Sequence, residues 1–259
     1  MNSVKGKIVC ITGASSGIGA ACADEFAKNG ASLLLLARRQ ERIAATAKSL
    51  AEKYKVHTLA LTLDVQKQPE VERLFTSIPA EWKKIDILVN NAGLSRGLDK
   101  LHEAKIDDWE EMIDTNIKGL LYVTRAVLPS MVERNEGHVI HIGSIAGRQT
   151  YPGGNVYCAT KHAVLGLTHG MKMDLLGTNV RVSSVDPGLV ETEFSSVRYR
   201  GNEELAAKAY ANTTVLQPAD IAEIVLFCAT RPPHVNILET VVLATNQASA
   251  SMVHRTAPA

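Results

Sequence analysis

Ile8-Val9-Cys10-Ile11-Thr12-Gly13-Ala14-Ser15-Ser16-Gly17-Ile18-Gly19 is the stretch whose reading decides the fold. Its first four residues form a continuous apolar run, the pattern of a strand covered on both faces. An alanine-rich helical pattern follows as far as Asn29-Gly30, where glycine ends it. Glycines between a strand and a helix permit a tight turn. They also let backbone N–H groups at the positive end of the helix approach a pyrophosphate. Gly13, Ser15, Ser16, Gly17, Ile18 and Gly19 are the candidate contacts. A Gly-rich turn gains its meaning from this placement at the start of a βαβ unit.

Outward from this stretch, strands and helices alternate. Ser32 to Ala37 reads as a second strand and ends in Arg38-Arg39, near where a dinucleotide fold often carries an acidic residue for a ribose 2′-hydroxyl. Two guanidinium groups there suit a 2′-phosphate instead; the other reading is a solvated pair opening the next helix. His57 to Val65 is a third strand, a helix opens at Pro69, and Asp86-Ile87-Leu88-Val89 leads into Asn90-Asn91-Ala92-Gly93. Asp107-Asp108-Trp109-Glu110 resembles a capping box and is expected to open a long helix with Asn116 near its middle and Pro129 late in it. Further strands are expected from Val180 to Val185 and from Ile237 to Leu243. Between them lie a long polar segment to about Gln217 and a helix starting at Pro218. Seven strands separated by helices, without repeats or low-complexity linkers, predict an α/β fold: a doubly wound parallel sheet, Rossmann-type, with helices on both faces.

At 259 residues the chain has the length of one large α/β domain. The expected organisation is a single domain over 1–259, with 189–217 as a substrate lid and 244–259 as a C-terminal tail. Basic and acidic residues nearly cancel, 28 against 27, so no overall field points to nucleic acid or an anionic membrane. Cys10, Cys22, Cys158 and Cys228 sit in apolar segments, too far apart for a metal knuckle, and read as buried free thiols in a reducing compartment. The N-terminal residues lack an apolar signal core and no apolar run approaches ~18 residues, so a cytoplasmic protein is expected. His138 and His141 lie three apart on a strand and would point to opposite faces, and no other histidine pair has a chelating spacing; no metal is expected.

The candidate chemistry lies between His138 and Lys161: an apolar strand ending in Ser144, a loop rich in Gly and Pro, then Asn155-Val156-Tyr157-Cys158-Ala159-Thr160-Lys161. Tyr157 and Lys161, four apart on a helix, share a face with roughly 5–6 Å between Cβ atoms. An ammonium held near a phenol favours the phenolate and lowers a pKa that starts near ~10. Ser144 would hold the other side of a hydroxyl or carbonyl oxygen.

Taken together, Thr12 to Gly19, Asp64-Val65, Asn90-Asn91-Ala92-Gly93, Asn116, Ser144, Tyr157 with Lys161, and Pro187-Gly188-Leu189-Val190-Glu191-Thr192 resemble the short-chain dehydrogenase/reductase family over nearly the whole chain. The resemblance implies an oxidoreductase in which Tyr157 is the acid/base, Ser144 orients the reacting oxygen, and Lys161 serves both the tyrosine and the nicotinamide ribose. It also implies that Asn116 holds a proton-relay water and that Asp64-Val65 flank the adenine. Asn91, Ala92, Gly93, Pro187, Gly188, Val190 and Thr192 would lie along the cofactor. Arginines after the second strand imply NADP, in agreement with the charge argument for Arg38 and Arg39. Gly153-Gly154-Asn155-Val156-Tyr157, Gly188 to Ser195 and Thr245-Asn246-Gln247-Ala248 are similar to the NADP-dependent serine and 3-hydroxy acid dehydrogenase subgroup. Arg96 departs from the small or apolar residue expected there, and Cys158 stands where Gly or Ser is more usual.

The leading expectation is therefore hydride transfer between NADP and a small 3-hydroxy acid or its carbonyl form. The alternatives are a broad carbonyl reductase for neutral ketones and aldehydes, and a dinucleotide-sensing protein without chemistry. A substrate carboxylate would need a basic partner, for which Arg148, Arg96 and Arg198 are candidates. Arg148 is favoured for its short tether to Ser144. The resemblance further implies a homotetramer, formed by the helices opening near Asp108 and Asn155 and by the last strand. Apolar residues on more than one face of Ile117 to Val127 add to this.

Overall fold

In the computed structural model, which describes residues 3–256, β1 (Ile8–Thr12) pairs with β2 (Ser32–Ala37) and β4 (Ile87–Asn90), and every strand pairing is parallel. With β3 (Thr58–Thr62), β5 (Gly137–Ile142), β6 (Val180–Pro187) and β7 (Glu239–Val242), the sheet runs β3-β2-β1-β4-β5-β6-β7. Strand order reverses between β1 and β4, which opens the crevice at the carboxyl ends where such sheets bind ligands. This is the doubly wound Rossmann-type sheet that the alternating pattern predicts.

The apolar runs read as doubly covered strands because alternate residues enter two different cores. Val9, Ile11, Leu33, Leu35, Ile87 and Val89 pack with α1 (Gly17–Lys28), α2 (Gln40–Tyr54) and α9 (Pro218–Ala229). Cys10, Leu34, Leu36 and Leu88 pack on the other face with α3 (Gln68–Ser77) and α5 (Leu120–Glu133). Each fully buried Leu or Ile contributes about 1.5–3 kcal/mol, so the strands have no solvent face to spare for polar residues. The third strand is shorter than expected: its residues are only half-buried at the sheet edge, and the chain leaves the ladder before Asp64. The last strand is likewise trimmed, to Glu239–Val242. The sixth runs on to Pro187, whose missing N–H is no loss at a strand end.

Two expectations are corrected. Asp107 and Asp108 do not cap a helix: α4 (Ile106–Ile113) starts after Lys105 without a side-chain cap, and buried Asp108 instead pairs with Arg200. A reciprocal capping box does form at Gln217 and Asp220, ahead of α9. Nor is the helix around Asn116 continuous, since a π-helical turn, Asp114–Gly119, separates α4 from α5. The polar segment before Gln217 carries two short helices, α7 (Phe194–Arg198) and α8 (Glu203–Tyr210). The C-terminal residues strap this segment: Asn246 donates to Thr213 Oγ1 at 2.7 Å, Thr256 N to the Asn212 carbonyl at 2.8 Å, and Arg255 to the Ala209 carbonyl at 3.0 Å. Residues 257–259 of the expected tail lie outside the described residues.

Candidate active site

Ser144, Tyr157 and Lys161 meet because a short 3-10 turn, Ile145–Gly147, lies on α6 (Asn155–Asp174). Gly147 permits the approach, since a Cβ there would stand 2.6 Å from the Lys161 carbonyl. The strand ends at Ile142, and Ser144 caps the turn by accepting from Ala146 N at 3.1 Å. Tyr157, Ser144 and Lys161 are all buried.

Burial pushes the Tyr157 phenol up; the charge of Arg198 and a hydrogen bond from Ser144 oppose it, and the net shift is upward. Lys161, which also loses hydration, falls to about 8, held up in part by Asp186. Its ammonium donates to the Ile142 carbonyl at 2.9 Å and lies 6.0 Å from the Tyr157 ring centre. The expected lowering of the phenol by Lys161 is thus not what dominates. The cation acting most on Tyr157 is Arg198, 5.4 Å from its ring centre.

Asn116 is fixed on three bonds: its amide donates to the Leu94 carbonyl at 2.8 Å and Thr160 Oγ1 at 3.0 Å, and its oxygen accepts from Leu94 N at 2.9 Å. The π turn swings it toward the loop after β4, a backbone departure that places polar groups at functional sites. Gly93 leaves open space there; a Cβ would lie 3.3 Å from Asn116 Oδ1 and 3.7 Å from Lys161 Nζ.

The residues expected along a cofactor all fall at the carboxyl ends of the strands. Thr12 Oγ1 accepts from Asn91 N and Ala92 N, both at 3.0 Å, and Asn91 Nδ2 donates to the carbonyls of Thr12 and Gly13. A Cβ on Gly13 would come within 2.8 Å of Asn91 Nδ2, so the two loops close on each other only with glycine present. The N-terminus of α1 at Gly17 has no side-chain cap from Ser16, which leaves its first-turn N–H groups for an anion. Thr192 lies against Gly17, with its methyl 3.2 Å from where a Cβ would be. Asp64 Oδ1 accepts from Gln66 N at 3.1 Å, and Val65 packs on Gly119 of the π turn. Gly188 fits under Gln247, whose Oε1 accepts from Leu189 N at 2.8 Å, and Val190 bridges to Leu216. Arg38 and Arg39 are exposed after β2, and Arg39 reaches Ser15 and Ser16 of the Gly-rich turn. An uncapped helix end, close-packed glycines and a pair of exposed arginines, Arg39 also paired with Glu193, fit NADP(H).

Arg148, the favoured carboxylate partner, is already engaged by carboxylates of the fold. It donates to Asp186 Oδ2 from Nε at 3.1 Å and from Nη2 at 2.8 Å, and also reaches Glu239. Its guanidinium is spent inside the β6–β7 edge. Arg96 is spent as well, on both oxygens of Glu111 at 2.6 and 2.8 Å and on the Val197 carbonyl. Arg198 is different. It donates to Tyr151 Oη at 2.8 Å, lies 5.1 Å from the Phe194 ring centre, and its buried Nε has no hydrogen-bond partner among the described residues. Phe194 itself packs on Tyr157 with the rings tilted at 59°, centres 5.5 Å apart. The Phe194 contact was available only through the Thr192-Glu193-Phe194-Ser195 motif. Tyr151 carried no signal in the sequence.

Cys10, Cys22, Cys158 and Cys228 are free and buried, and burial pushes each thiol up. Among the described residues, no group of three or more His, Cys, Asp or Glu is arranged to hold a metal, and no helix is long and apolar enough to cross a membrane. His138 Nε2 and His141 Nδ1 are hydrogen-bonded to Ser183 and Thr168 inside the fold.

Residues 7–203 match the short chain dehydrogenase family. The chain is 50% identical over 250 residues to NADP-dependent 3-hydroxy acid dehydrogenase YdfG of Salmonella typhi, covering 96% of this chain and 99% of that protein. It is 45% identical over 256 residues to an NADP-dependent 3-hydroxy acid dehydrogenase of Schizosaccharomyces pombe, covering 98% and 99%. A serine dehydrogenase solved in a closed form with NADP+ superposes with a TM-score of 0.90 at 47% identity, covering 96% of this chain and all of that one. The chain belongs to the short-chain dehydrogenase/reductase family and is an oxidoreductase acting on hydroxyl-bearing carbon.

Proposed function

We propose that the chain is an NADP-dependent dehydrogenase for small 3-hydroxy acids, serine among them, and that Arg198 seats the substrate carboxylate. The observation that carries this reading is the guanidinium of Arg198, unpaired with any carboxylate among the described residues and placed over the Tyr157 ring. Similarity to NADP-dependent 3-hydroxy acid dehydrogenases and to a serine dehydrogenase supports it.

Bound NADP(H) supplies or accepts the hydride. As the phenolate, Tyr157 takes the hydroxyl proton in oxidation; as the phenol, it gives a proton to the oxygen in reduction. Ser144 holds the same oxygen from the other side, its own position fixed by the 3-10 turn. Lys161 keeps positive charge beneath the site and would bind the nicotinamide ribose. The side chain of Asn116 is committed to Leu94 and Thr160, so a relay water would be held through its main-chain carbonyl in the π turn. In a 3-hydroxy acid the carboxylate carbon stands two bonds, ~2.5 Å, from the hydroxyl-bearing carbon. A hydroxyl at Tyr157 Oη therefore brings the carboxylate alongside the ring, where a planar guanidinium can bind both its oxygens. The segment 189–217 acts as the lid that carries Arg198 and Phe194 to the substrate. Four free, buried cysteines support a reducing compartment, and we read the protein as cytoplasmic.

The test is NADPH formation from NADP+ with serine and a 3-hydroxy-2-methyl acid, for wild type and Tyr157→Phe. The wild type turns over, and the variant binds cofactor but loses about 10²–10⁴ in kcat. An inactive wild type with all 3-hydroxy acids, or a Phe variant retaining a tenth of the rate, contradicts the reading.

A further inference from the structure

Arg39 has two kinds of partner, and they pull toward different parts of the molecule. Its Nε and Nη2 donate to Ser15 Oγ at 3.2 and 3.1 Å, and Nη2 also to Ser16 Oγ at 2.7 Å, folding the guanidinium onto the Gly-rich turn. Its Nη1 donates to Glu193 Oε2 at 2.7 Å. The second oxygen of Glu193 accepts from Arg42 Nη1, also at 2.7 Å. One carboxylate is thus held by two arginines, one just before α2 and one in its first turn. These pairs, the Arg39 hydrogen bond first, hold the Glu193 carboxyl below the usual carboxylate range.

Glu193 immediately precedes α7, which carries Phe194 against Tyr157 and ends at Arg198. The ion pairs therefore tether the start of the substrate helix to the residues that fit a 2′-phosphate. A carboxylate and a phosphate monoester ask for the same guanidinium N–H groups, and the phosphate brings up to two negative charges. The two anions cannot share Arg39 without repelling one another. Arg39, Arg42 and Glu193 are also substantially exposed, so the tether contributes little to stability and is easily exchanged.

We propose that Glu193 is an internal competitor for the cofactor's 2′-phosphate: the phosphate takes the arginine donors from Glu193 and thereby frees α7 from α2. A cofactor without the phosphate leaves the tether in place, so Glu193 makes the phosphorylated cofactor the one that readies the substrate helix. The proposal rests on the NADP(H) preference and not on the identity of the hydroxy acid.

The experiment is calorimetric titration of the full chain with adenosine 2′,5′-bisphosphate and with 5′-AMP, for wild type and Glu193→Gln, alongside amide hydrogen exchange over 194–198. Glu193→Gln is expected to bind the bisphosphate at least threefold tighter and 5′-AMP equally well, which also shows that the variant is folded. In wild type, exchange over 194–198 should accelerate with the bisphosphate and not with 5′-AMP. A variant that binds the bisphosphate no tighter than wild type, or exchange that ignores the bisphosphate, overturns the proposal. Wild-type protein that binds the bisphosphate no better than 5′-AMP contradicts the NADP(H) preference and the proposal with it.

Discussion

The guanidinium of Arg198 lies 5.4 Å from the centre of the Tyr157 ring, and no acidic side chain among the described residues pairs with it. Arg148, nearer to Ser144 in sequence, is locked to buried Asp186. The two arginines should therefore fail in different ways. Arg198→Leu should keep its melting point and lose roughly ten- to hundredfold in kcat/KM for a hydroxy acid, the value of a charge-assisted bond of about 1.5–3 kcal/mol. Arg148→Leu leaves Asp186 buried without its cation and should cost about 3–5 kcal/mol in denaturant unfolding. Reversed phenotypes would return the carboxylate to Arg148.

Lys161 gives a pH signature. Its folded pKa of about 8 lies below the unfolded value of ~10.4, so the unfolded chain binds more protons between the two. Burying the charge costs stability below pH 8, and that cost fades as pH rises toward 10.5. Relative to Lys161→Met, the wild type should gain up to ~3 kcal/mol between pH 8 and 10.5, read from urea midpoints. A stability difference that is flat across this window would show that Lys161 stays charged in the fold.

Arg39 tests cofactor choice. Arg39→Asp removes the donor nearest Ser15 and Ser16 and adds repulsion, so NADP+ should weaken by tenfold or more while NAD+ changes little. Equal loss for both cofactors in fluorescence titrations would mean that Arg39 serves the loop and not the 2′-phosphate.

The sheet and the site were unequally legible in the sequence. Ile8 to Gly19 announces both its elements because the periodicity is local and the glycines must be where they are. Tyr157 and Lys161 are legible for the same reason, being one helical turn apart. The choice among arginines is not local. Arg148 is spent on Asp186 and Glu239, 38 and 91 residues away, and no spacing rule reports such partners. The break at Asn116 is hidden too, because asparagine is tolerated inside α-helices and the partner of its side chain in the π turn, Leu94, lies 22 residues away. Asp107 and Asp108 fit a capping pattern, yet the fold uses Asp108 for Arg200.

Exposed apolar side chains give a prediction of oligomeric state. Phe227 on α9 and Val241 on the edge strand β7 are exposed, as are Ile113 and Leu121 beside the π turn. With the family resemblance, these apolar positions predict a homotetramer. Light scattering at micromolar concentration should give about four times 28.0 kDa. A monomer would leave those side chains to solvent and contradict the assignment.

In the proposed function, Tyr157 and Arg198 read the two ends of one small hydroxy acid. This is tested most directly by comparing kcat/KM with NADP+ for a 3-hydroxy acid and its methyl ester, in wild type and in Arg198→Leu. Wild type should prefer the free acid by at least tenfold, and the variant should lose that preference by losing the acid. If wild type oxidises the ester as well as the acid, or reduces neutral ketones equally well, the protein is a general carbonyl reductase and the carboxylate seat does not exist.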